Sequence, residues 1–66
     1  MVIQEAIEFV KAVGKSDHGV DLTDGEALEA MRHIKHLVQT GAPETRKTIS
    51  LGVKKYIFAQ IIKGKL

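Results

Sequence analysis

The chain has 66 residues, a net charge of +2, and no cysteine or tryptophan. A length of this order holds one domain, residues 1–66, with a small core. The absence of cysteine excludes a disulfide framework and a thiolate metal site. With one Tyr and two Phe, the core is expected to come from Ile, Leu, Val and Ala.

The first segment, "VIQEAIEFVKAV", places apolar residues at 2, 3, 6, 7, 9, 10 and 13. This is helical spacing with a broad apolar stripe, and Gly14 is its expected end. The stripe is a candidate surface for a homodimer. Gln4, Glu5, Glu8 and Lys11 interrupt it as they would not interrupt a secretory signal core. No apolar run in the chain approaches the roughly 20 residues that span a bilayer. The expectation is a cytoplasmic protein with no membrane partner. "GKSDHGVD" follows as a predicted loop, with Gly19 free to take a positive φ.

"LTDGEALEAMRHIKHLVQTG" carries the clearest helical signals. Thr23 with Glu26 three residues on forms a capping box, and Asp24 and Glu26 suit the positive end of the helix dipole. Ala27, Leu28, Met31, Ile34, Leu37 and Val38 line one face. Gly41 stops the helix, with Pro43 just beyond. Pro43 in a first-turn position, followed by Glu44, predicts a short helix to about Leu51. Gly52 is then a turn. "KKYIFAQIIK" is a last helix ended by Gly64; its β-branched residues also allow a strand, but positions 53, 57, 58, 61 and 62 fit helical spacing better than alternation. The predicted fold is all-α, a small bundle of about four helices.

Charge divides unevenly along this order. Residues 1–33 hold three Lys/Arg against seven Asp/Glu, a net −4, and residues 34–66 hold seven against one, a net +6. The basic half therefore suits an anionic partner, unless the acidic half neutralises it across the fold.

In "LGVKKYIFAQIIKGK", Gly52 sits as a turn glycine and Val53 beneath it. Phe58 and Ile61 follow three residues apart as core contacts, and Gly64 and Lys65 close the run. This pattern resembles the helix-turn-helix of small phage-type repressors, the Cro and lambda-repressor-like family, over residues 46–65. The resemblance implies a C-terminal helix-turn-helix, a transcription regulator that binds double-stranded DNA, and homodimers on paired half-sites. Lys54, Lys55 and Tyr56 would then lie at the exposed start of the recognition helix. Gln60 would pair with an adenine. Arg46, Lys47, Lys63 and Lys65 would neutralise phosphates.

Thr48 stands where the family usually has alanine, Lys54 where it has a Ser or Thr cap, and Ile57 and Ile62 where it has polar residues. These positions support a different class of function. In that alternative the chain is a helical adaptor or inhibitor that binds protein through apolar helix faces, with Ile57 and Ile62 as anchors.

Other chemistry is weakly signalled. Glu29, His33 and His36 lie near one another on the second helix, but their spacing reads as a solvated polar face, so no metal and no cofactor are expected. Ser16, Asp17 and His18 are adjacent in sequence, whereas a catalytic triad is assembled in space. No Walker A spacing occurs. No catalytic residue, enzyme activity or small-molecule substrate is expected.

Overall fold

The structure, a computed structural model, describes residues 3–64. It contains three helices: α1 (Ile3–His18), α2 (Asp24–Gln39) and α3 (Arg46–Ile62). The all-α expectation holds, with three helices where the sequence predicts about four. Each helix packs on both others. The core is Ile7, Val10 and Val13 from α1, Leu22 from the first loop, Ala27 and Ala30 from α2, and Val53, Tyr56 and Ile57 from α3. A tyrosine thus joins the aliphatic residues.

α1 does not end at Gly14. The helix continues to His18, and Gly14 is buried where a Cβ would stand 3.0 Å from Leu22 Cδ1. Gly14 therefore gives the returning chain room and does not break the helix. Termination falls instead at Gly19, φ 66°.

α2 follows its local signals. The Thr23 hydroxyl accepts from the Glu26 backbone N–H at 3.1 Å, and the Glu26 carboxylate accepts from the Thr23 N–H at 2.8 Å. At the other end Gly41 takes φ 111°. Its N–H donates to the Val38 carbonyl, and the Ala42 N–H donates to that of Leu37. This double closure satisfies carbonyls that a helix end leaves open.

The largest departure is at Gly52. Pro43 and Glu44 remain in the loop, the helix begins at Arg46, and it runs unbroken through Gly52 to Ile62. A helix-turn-helix with its turn at Gly52 is not formed. The physical reason lies on α2. A Cβ on Gly52 would collide with the Ile34 side chain and stand 3.1 Å from the Ile34 backbone N and Cα. Gly52 is the point where two helices touch backbone to side chain, a use of glycine that needs no unusual φ.

Gly52 also sets the rotation of α3. Thr48, Gly52, Val53, Tyr56, Ile57 and Gln60 face inward, at intervals of four, five, eight, nine and twelve, one face of a helix. Phe58 and Ile61, predicted to enter the core, face outward instead.

Candidate functional site

The inner and outer sides of α3 separate the residues that the sequence groups as one DNA-contacting set. Tyr56 is 2% exposed and Gln60 8%. The Tyr56 ring meets His33 edge-on, with centroids 6.1 Å apart. Burial pushes its hydroxyl pKa up to about 12, and the Glu29 carboxylate adds to the effect. Neither side chain is presented to a groove of DNA. Both lie there because the inward phase of α3 is fixed at Gly52.

Arg46 is committed within the fold. Its guanidinium donates to Asp17 Oδ1 and to Ser16 Oγ, both at 2.9 Å. The hydroxyls of Ser16 and Ser50 and this guanidinium hold the Asp17 carboxyl below its ordinary range. Beside this pair, His18 Nε2 donates to the Ser50 carbonyl oxygen at 3.1 Å and lies 3.3 Å from Ser50 Oγ. The cluster joins the end of α1 to the first half of α3 across about thirty residues of chain. It brings Ser, His and Asp together, which the local sequence around Ser16 does not indicate. It is not arranged as a triad: a base must offer an unprotonated nitrogen to the hydroxyl, and Nε2 faces a carbonyl oxygen, which only accepts.

Lys63 ends α3 and lines a shallow polar hollow with Glu29, Arg32, His33 and Gln60. Lys65 lies outside the described residues. Of the predicted set, Lys47, Lys54 and Lys55 remain together on the outer side of α3, all exposed.

Those three lysines share that side with apolar residues. Leu51 is 44% exposed, Phe58 52%, Ile61 53% and Ile62 85%. Leu51, Phe58 and Ile62, at intervals of seven and four, form a ridge about 16 Å long. The Lys54 ammonium lies 5.5 Å from the Phe58 ring centroid, a distance at which the ring face attracts a cation. Of the two anchors in the alternative reading, Ile62 is outside and Ile57 is in the core.

A second apolar region is the groove between α1, the end of α2 and the start of α3. It has a volume of about 720 Å³ and is lined chiefly by Phe9, Met31, Ile34, Val38 and Ile49, with Glu5, Lys35 and Glu44 at its rim.

Among the described residues, no group of three His, Cys, Asp or Glu side chains is placed to hold a metal ion. No described helix is long and apolar enough to cross a membrane. The chain matches no family model, no curated protein and no solved structure.

Proposed function

We propose that this chain is a helical protein–protein interaction module, without enzymatic activity, whose contact surface is the outer side of α3. One observation carries this reading: a helix that gives one side to the core also exposes Leu51, Phe58, Ile61 and Ile62 on the other. Single exposed apolar residues are ordinary, but contiguous ones mark contact sites. Covering the exposed half of such a side chain is worth about 1 kcal/mol, and more for Ile62. The ridge fits recognition by a helix laid along it, read through anchors at helical spacing.

The test is site-specific photo-crosslinking in cells. A crosslinking amino acid at position 58 is expected to give a discrete protein adduct. The same group at position 8, exposed on α1, is expected to give none. Equal yields at both positions would remove the assignment of the surface.

A second reading, DNA binding by a small regulator, rests on Lys47, Lys54 and Lys55, since α3 carries no Asp or Glu. With three phosphate contacts, log affinity is expected to fall against log salt with a slope of about −3. Binding on this reading goes through phosphates, because Gln60 and Tyr56 are buried. No association with duplex at about 50 mM salt would dispose of it. A homodimer on this reading has one candidate surface. With the outer side of α3 turned to DNA, it is the part of α1 that keeps Ile3 and Phe9 exposed.

A further inference from the structure

We infer that the occupant of the outer side of α3 is an acidic amphipathic helix of a protein partner; this inference rests on the reading of the chain as an interaction module. Charge pairing within the fold points to it. Lys11 is paired with Asp24 at 2.9 Å, Lys15 with Asp21 at 3.1 Å and Arg46 with Asp17 at 2.9 Å. Lys47, Lys54 and Lys55 have no such carboxylate among the described residues, and α3 itself has none to offer. Lys11, Lys15 and Arg46 are thus neutralised within the fold, whereas Lys47, Lys54 and Lys55 beside the apolar ridge, like Arg32 and Lys35 on α2, are not, and α3 has no carboxylate of its own to balance them.

The arrangement of the lysines narrows what that is. Lys54 and Lys55 stand on opposite flanks of the line through Leu51, Phe58 and Ile62. Lys47 precedes Leu51 by one turn. An apolar seam flanked by charges of one sign is the pattern by which one helix selects another, apolar residues giving contact area and flanking charges giving partner choice. The complement is a helix with apolar residues at three- and four-residue spacing, bordered by Glu or Asp.

Other occupants fit less well. A helix entering the DNA major groove presents polar groups along its crest, and here the crest is Leu51, Phe58 and Ile62. A second copy packing α3 on α3 would set lysines against lysines. A lipid surface favours a helix whose charges are segregated from its apolar face, whereas Lys54 stands on one line with the exposed Ile61, seven residues on, inside the apolar side.

The experiment uses the full chain and three labelled synthetic helical peptides, followed by fluorescence anisotropy. The first has leucines at seam spacing flanked by glutamates. The second replaces every glutamate with lysine. The third keeps the glutamates and replaces the leucines with serine. The acidic apolar peptide is expected to bind at least about tenfold more tightly than either control, and more weakly as salt rises. Phe58→Ser is expected to lower its affinity about tenfold or more. The double variant Lys54→Glu, Lys55→Glu is expected to exchange the preference, binding the lysine peptide over the glutamate one. All three positions are exposed, and circular dichroism checks that each variant keeps its helix content.

Equal binding of the glutamate and lysine peptides would overturn the inference. So would tighter binding of a 20-base-pair duplex or of phosphatidylserine vesicles, or self-association abolished by Phe58→Ser. A crosslink at position 58 without any preference for the acidic peptide would overturn the partner chemistry and leave the interaction module standing. Failure of the crosslink removes the module reading itself.

Discussion

The two sides of α3 are made of similar material and have opposite fates. The inner side has Val53, Tyr56 and Ile57; the outer has Leu51, Phe58 and Ile62, the larger apolar set. The apolar content of the two sides is similar, but the outer one also carries Lys47, Lys54 and Lys55, which favour water. Gly52 acts in the same sense: it lets α3 approach α2 closely at Ile34 with Val53 and Tyr56 turned inward. Where both sides of a helix carry apolar residues, the charges and the position that permits the closest contact choose the buried face together, and the remaining apolar residues are left for a partner.

The strongest way to break this comparison is to fill the crossing. Gly52→Leu would drive a side chain into Ile34 and its backbone, and overpacking on this scale is expected to cost about 3 kcal/mol or more. That is a large part of the stability of a domain this small, so urea unfolding should show early loss of structure. Gly52→Ala is the finer probe. In an unobstructed helix it would stabilise by about 1 kcal/mol. Here it is expected to destabilise, and a stabilised variant would show that α3 does not cross α2 at this point.

Tyr56 tests the inner side by pH. An unfolded tyrosine ionises near 10, and the buried one near 12. The unfolded state therefore releases its proton first as pH rises, so the contribution of Tyr56 is complete below pH 10 and is lost between about 10 and 12. The two-unit difference corresponds to about 2–3 kcal/mol. Denaturant titrations across that range should show the decline, and Tyr56→Phe should flatten it. An unchanged slope in Tyr56→Phe would mean that the hydroxyl is solvated.

A pair of truncations sharpens the contrast at smaller cost. Val53, fully buried, should lose about 2 kcal/mol on replacement by alanine. Phe58→Ala removes more carbon, yet with half of the ring already in water it should cost no more than about 1 kcal/mol. Similar losses at both positions would place Phe58 in the core after all.

What the sequence discloses follows the range of each interaction. The Thr23–Glu26 box and the Gly41 stop act within a few residues, and α2 stands almost where they predict. The exposure of Lys47, Lys54 and Lys55 is legible for the same reason, since charged side chains seek water. Gly14 and Gly52 mislead because their roles depend on Leu22 and Ile34, which reach them only through the tertiary fold. Pro43 and Glu44 carry helix-start chemistry, yet the helix begins at Arg46. The Ser16–Asp17–Arg46 and His18–Ser50 contacts join parts of the chain with no local signal of proximity. Placing Gln60 and Tyr56 on a reading surface and Phe58 and Ile61 in the core follows from one misplaced turn, because a helix wrongly phased exchanges its faces together.

The makeup of α3 has a consequence for the unfolded chain. Its N-cap Thr45 makes no side-chain capping bond, its middle holds a glycine, and Thr48, Ile49, Val53, Ile57, Ile61 and Ile62 are β-branched, so the helix draws its stability from α1 and α2 more than from itself. Released from them, Tyr56–Ile62 is a stretch without charge, glycine or proline, the composition that stacks into cross-β aggregates. Lys54 and Lys55 on one side and Lys63 on the other bracket it, as charges do where an apolar run must be kept from self-association. The same lysines that face outward in the folded domain thus guard the chain when the domain opens.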